Sequence, residues 1–140
     1  MTSDLSLVEY RALAEFRHHI RRFLQFSADE ARRHDIEPQQ HQLLLAVKGL
    51  PEGRKPTIGE LADRLQIQHH SAVELVNRLA EHGAIRREHG ADRREVLIRL
   101  TRRGETLLRQ LSIAHRAELE TAGPVLVRAL GEAIRPRHAA

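Results

Sequence analysis

The chain has 140 residues, 41% hydrophobic and 30% charged, a balance that fits a single globular domain able to bury a core and not a disordered chain. It has no cysteine, which rules out disulfides, thiol redox sensing and thiolate metal sites. No apolar run approaches the roughly 18 residues of a membrane helix, and the opening MTSDLSLVEYR carries acids where a signal peptide carries basic residues, so a cytoplasmic location is expected.

Residues 5–33 place Leu5, Val8, Leu13, Phe16, Ile20, Phe23 and Leu24 at helical spacing behind a Ser6/Glu9 capping box, which predicts a long first helix. Residues 35–38 interrupt it. Pro38 suits the first turn of a second helix that runs through Leu43, Leu44 and Val47 to Gly49. After a loop over residues 50–56, Thr57 and Glu60 have capping-box spacing, and a short third helix follows with Ile58, Leu61, Ala62 and Leu65 inward. Residues 66–68 form a break, and the fourth helix runs from Gln68 to His82, closed by Gly83. Its apolar stripe is Ala72, Leu75, Val76 and Leu79; half a turn away lie His70, Val73, Glu74 and Asn77. Alternating stretches at 84–88 and 95–101, joined by a Gly-containing loop, predict a β-hairpin. A fifth helix carries Leu107, Leu108, Leu111 and Ala114, and Gly123-Pro124 is expected to break it before a sixth with Leu126, Leu130 and Ile134.

The net charge is +4, and residues 86–103 hold seven arginines (Arg86, Arg87, Arg93, Arg94, Arg99, Arg102, Arg103) against three acids (Glu88, Asp92, Glu95). Positive charge concentrated on one segment with no apolar amphipathic face points to nucleic acid before membrane. A short helix, a three-residue turn and a second helix with a polar outer face have the helix-turn-helix layout, and the basic hairpin behind it is placed like a wing. The major groove admits one helix, so the outer stripe can reach base edges while the hairpin reaches the adjacent groove. Gln68, His69, His70, Ser71, Val73, Glu74, Asn77 and Arg78 are the candidate contacts on the helix. Ser71 suits a phosphate, Val73 a thymine methyl, and Glu74 either cytosine N4 or an ion pair with Arg78. The only aromatics are Tyr10, Phe16, Phe23 and Phe26, which leaves no base-stacking platform near the hairpin and favours duplex DNA over single strands.

The stretch over residues 57–104 resembles the MarR family of bacterial winged-helix regulators. It carries Leu61, Ala62 and Leu65, then Arg78, Leu79 and Gly83, then Asp92, Arg94, Ile98, Leu100, Thr101 and Gly104 in the family's order. The resemblance implies a mainly α fold with a small β-hairpin wing, in which a winged helix-turn-helix lobe (36–100) lies between N- and C-terminal dimerisation helices (1–34 and 101–140) of one domain. It further implies a homodimer that binds a pseudo-palindromic operator and represses until a small molecule intervenes. The apolar rows of the terminal helices are too long for one small lobe to cover, which agrees with a dimer. The family's minor-groove arginine falls on Arg94, with Asp92 the acid that orients it, and Arg93 could serve instead; arginine suits a narrow, electronegative minor groove. The implied effector pocket would use Phe23, Phe26, His41 and Leu44 against a small aromatic acid, with His41 or Arg22 for its carboxylate.

Ten histidines raise a zinc-responsive or other metal-responsive alternative, for which Glu37 with His41 and His115 with Glu118 have helical spacing. A winged helix that binds protein instead of DNA is the other alternative. No enzyme motif is present: there is no G-x-S-x-G elbow, phosphate loop or H-E-x-x-H helix, and no cofactor is expected.

Overall fold

The computed structural model describes residues 4–136. Five helices and one antiparallel hairpin follow in the order α1 (Leu7–Arg33), α2 (Pro38–Lys48), α3 (Ile58–Leu65), α4 (His69–Glu81), β1 (Ile85–His89), β2 (Val96–Leu100) and α5 (Arg102–Ile134). The chain forms two compact units: one gathers the residues up to Asp29 and those from Ile113 on, the other is Glu30–Ser112. Among the described residues no helix is long and apolar enough to cross a membrane.

The second unit holds the hydrophobic core. Leu43 and Leu44 of α2, Leu61 of α3, Val76 and Leu79 of α4, Ile98 of β2 and Leu111 of α5 are fully buried. Each buried leucine contributes about 1.5–3 kcal/mol of transfer free energy. Helix ends are set by local chemistry. Three helices stop in a Schellman turn, with the residue after the cap in the left-handed region: Asp35 (φ 61), Gln66 (φ 54) and Gly83 (φ 73). After α1 the Ile36 and Asp35 N–H groups donate to Ala31 O and Arg32 O; after α3 the Ile67 and Gln66 N–H groups donate to Ala62 O and Asp63 O. After α4 the Ala84 and Gly83 N–H groups donate to Leu79 O and Ala80 O. In each case a fifth and a sixth N–H close on the last turn and satisfy its carbonyls. Thr57 caps α3 by accepting from Glu60 N at 3.2 Å. The Glu60 carboxylate goes to Arg54 Nη1 at 3.4 Å instead of completing the expected box.

The hairpin has the register Ile85↔Leu100 to His89↔Val96, and Ile98 N donates to Pro56 O at 2.9 Å, so β2 is also held on its outer edge by the loop before α3. Thr101, at the end of β2, joins it to the end of α4, the start of β1 and the first turn of α5. Its hydroxyl donates to Gly83 O at 2.6 Å and accepts from Gly104 N at 3.1 Å, while its own N–H donates to Ala84 O at 3.0 Å. Gly104 packs its Cα on this junction, and a Cβ there would fall on the Ala84 carbonyl oxygen.

One expectation is corrected. Gly123-Pro124 does not divide the C-terminal helix: α5 is continuous over 33 residues with Pro124 inside it. Proline removes one N–H and crowds the carbonyl four residues back, here that of Glu120. Both residues are exposed, so water can take the unpaired carbonyl and a helix long on both sides tolerates the loss.

In the first unit the Ser6/Glu9 box is present, with Glu9 N to Ser6 Oγ at 3.2 Å and Ser6 N to Glu9 Oε1 at 3.0 Å. His115 Nε2 lies 2.7 Å from Ser27 Oγ, and the Phe23 and Phe26 rings stand edge-on to the His115 ring. Of the described large hydrophobic residues that are exposed, all but Leu45 belong to this unit, among them Leu7, Tyr10, Val127 and Ile134.

Because the Ala84 carbonyl cannot retreat without breaking its bond to Thr101, Gly104→Ala is expected to lower stability by about 1–3 kcal/mol. Thermal or urea unfolding of the purified variant measures it, and a loss below a few tenths would contradict the close approach.

Candidate nucleic-acid interface

The turn between α3 and α4 is residues 66–68. Gln66 takes the left-handed conformation and its Nε2 donates to Asp63 O at 2.7 Å, a local bond that offsets part of the roughly 1–2 kcal/mol a side chain costs there. Gln68 is the N-cap of α4 but its side chain makes no capping bond. The expected inward stripe, Ala72, Leu75, Val76 and Leu79, is buried. Burying that stripe turns the opposite face outward: Gln68, His69, His70, Glu74, Asn77 and Arg78 are exposed, while Ser71 and Val73 are half-buried. Glu74 and Arg78 form no ion pair, so of the two expectations for Glu74 the helix-internal pair is absent among the described residues.

In the hairpin, Arg86 and Arg99 stand directly opposite one another, a pairing that like charges disfavour. Glu88 relieves it, its Oε2 lying 3.4 Å from Arg86 Nη2 and 3.6 Å from Arg99 Nε. The tip is built by Asp92: Arg94 N donates to Asp92 Oδ1 at 3.0 Å, and Glu95 N donates to Asp92 O at 2.9 Å. The same Oδ1 lies 3.9 Å from Arg94 Nε, whose side chain is 95% exposed. At that distance and exposure the ion pair adds little energy; what Asp92 supplies is the backbone turn from which Arg94 projects. Arg93 beside it is also exposed. The base of the tip is tied down by Glu95, whose carboxylate is 3.3 Å from Lys55 Nζ. The tip therefore presents two solvated guanidinium groups on a fixed turn, a form suited to a narrow, electronegative groove.

Two contacts escape a reading of the sequence. Arg87 Nη2 donates to Asn77 Oδ1, joining β1 to the outer stripe of α4, and Lys55 joins the loop before α3 to the hairpin. The alternation in β1 does place Arg87 on the face of Ile85, but nothing local shows that α4 lies there.

The candidate effector residues are placed differently from one another. Arg22, Phe23 and Phe26 line a groove of about 520 Å3 in the first unit, with His19 and Glu118. His41 and Leu44 are 2% and 0% exposed in the core of the second unit; helical periodicity could not tell a lining face of α2 from a buried one. For the metal alternative, no group of three or more His, Asp or Glu among the described residues is placed to hold an ion. Glu37 N donates to Gln40 Oε1 at 2.8 Å in the capping box that starts α2, and His115 Nε2 lies 2.7 Å from Ser27 Oγ.

Residues 34–95 match the model of the MarR family. AbsC, a MarR family transcriptional regulator from Streptomyces coelicolor, superposes with a TM-score of 0.75 at 19% identity, over 96% of this chain and 95% of that one. Staphylococcus aureus MepR in its complex with DNA gives 0.64 at 20% identity, over 84% and 82%. A MarR family protein from Bacillus stearothermophilus gives 0.64 at 23% identity, over 80% and 79%. No curated protein matches the chain. At these identities the likeness is one of fold, and the winged-helix architecture expected from the sequence is the architecture observed.

If Asp92 holds the tip through its turn bonds, Asp92→Ala should speed amide hydrogen exchange at Arg94 and Glu95 while leaving the unfolding free energy within about 0.5 kcal/mol of wild type. Unchanged exchange would show that the strands hold the tip without it.

Proposed function

We propose, from the match of residues 34–95 to the model of the MarR family, that this chain is a sequence-specific duplex-DNA-binding regulator of transcription. It would act in the cytoplasm as a homodimer on a pseudo-palindromic operator, chiefly as a ligand-responsive repressor, without enzymatic activity. The observation that carries the reading is the pairing, within one compact unit, of an exposed polar stripe on α4 with a hairpin tip that projects Arg93 and Arg94. A helix with an apolar inner stripe and a polar outer one fits a major groove, and solvated arginines on a turn fit the neighbouring minor groove. A neighbour of the same fold has been solved on DNA.

The homodimer is supported by the exposed apolar side chains of the first unit. Leu7, Val8, Tyr10, Val127 and Ile134 are each more than half exposed, and apolar side chains of that number are stable in water when a second copy covers them. A twofold pair would set half-sites about 10 base pairs apart, centre to centre. For the effector, the groove of the first unit offers Phe23 and Phe26 as apolar walls and Arg22 as the cation for an aromatic carboxylate. Such a ligand releases DNA only if it binds one dimer spacing better than the other.

Two outcomes test the reading. In gel-shift titrations at two or more salt concentrations, Arg94→Ala should weaken binding on all sequences and reduce the salt slope by about one, whereas Val73→Ala and Glu74→Ala should change base preference by about 1–3 kcal/mol. No duplex binding at low salt would favour a protein-binding winged helix. Sedimentation at micromolar concentration should show a species of twice 16.0 kDa; a monomer throughout would refute the dimer.

A further inference from the structure

Asn77 stands on the outer stripe of α4 and Arg87 on β1, ten positions on, and the Arg87 guanidinium donates to Asn77 Oδ1. The strand explains why they meet. Alternate residues of a strand share a face, so Arg87 leaves the sheet on the side of Ile85, which is 3% exposed, and of its cross-strand partner Ile98, which is fully buried. That face packs on the core, and the long side chain passes the edge of the core to reach α4. Both residues remain exposed. A guanidinium has donors and no acceptor, so the amide must turn its oxygen toward Arg87, and its Nδ2 is then turned the opposite way. The chemistry of the partner settles the amide's orientation.

Resting on the reading of α4 as the helix that enters the major groove, we propose that Arg87 makes Asn77 a donor-only reader of DNA bases. A free asparagine recognises adenine with both ends of its amide, accepting from N6 and donating to N7. Arg87 takes one lone pair of Oδ1 and draws that oxygen toward β1, so the adenine N6 donor finds its acceptor turned aside, while Nδ2 keeps its ability to donate. Adenine is then left with the single bond to N7, whereas guanine offers two adjacent acceptors, O6 and N7, and thymine offers O4 with no donor beside it. Arg87 is thus a positioning residue for specificity, acting through Asn77. The contact also links hairpin and helix, so that the base-reading group is oriented by the element that carries the minor-groove arginines.

Selection of binding sites from random duplex DNA tests this with the full chain and with Asn77→Ala, Arg87→Ala and Arg87→Lys. The wild type should favour guanine or thymine at one position of each half-site, and Asn77→Ala should erase the preference there while sparing the others. Arg87→Ala should shift that same position toward adenine by about tenfold, the size of one specific contact, and Arg87→Lys, which keeps a donor for Oδ1, should restore the wild-type base. Adenine preferred by the wild type at the Asn77-dependent position overturns the proposal. So does an Arg87→Ala variant that loses affinity equally on all sequences with a smaller salt slope, since Arg87 would then be a phosphate contact. So does an Asn77→Ala variant with unchanged preferences. A wild type that shows no sequence preference at all refutes the regulator reading itself, and is distinguishable from these because it appears before any substitution is made.

Discussion

The hydroxyl and N–H of Thr101 hold the second unit in register. Through Gly83 O, Ala84 O and Gly104 N, one small side chain joins the end of α4, the start of β1, the end of β2 and the first turn of α5. All four chain segments need partners for backbone groups that regular structure leaves open at its ends. A residue with both a donor and an acceptor on a short stem meets that need within one van der Waals layer. The approach of α5 to Ala84 then leaves no room for a Cβ at residue 104. The angle between the helix that faces outward and the hairpin beside it follows from this junction, because neither can turn without breaking it.

Charge is distributed to match. On the strands Glu88 serves both Arg86 and Arg99, and beside them Glu95 serves Lys55. At the tip the compensation ends. Asp92 spends its oxygen on the turn and leaves the Arg94 side chain solvated. Paired charges keep the hairpin from repelling itself, while the solvated, weakly paired ones at its end supply the attractive potential for a polyanion. The first unit shows the complementary pattern, apolar side chains in water, which is a cost for a monomer and a source of free energy for association.

Most of the architecture was legible in the sequence because it rests on local rules. The Ser6/Glu9 box, Thr57 as a cap, Pro38 in a first turn, Gly83 after α4 and the inward stripe Ala72, Leu75, Val76 and Leu79 each depend on residues within about one turn of each other, and the MarR resemblance drew on the same positions. The misreadings have physical causes too. Gly123-Pro124 carries a breaker signal, but a proline removes only one hydrogen bond, and whether a helix survives that depends on the helix on either side of it. His41 and Leu44 look like candidates for a pocket wall because helix periodicity identifies a face without showing what covers it.

Sequence by itself determined where α1 to α4 start and stop, which face of α4 is apolar, and that basic charge gathers on the hairpin, since caps, periodicity and charge are properties of neighbouring residues. Only the tertiary structure decided that Arg87 grips Asn77, that Lys55 holds Glu95 and that residue 104 must lack a side chain. Each of these depends on groups ten to forty residues apart being brought within a few ångströms, and that proximity is set by how the core packs.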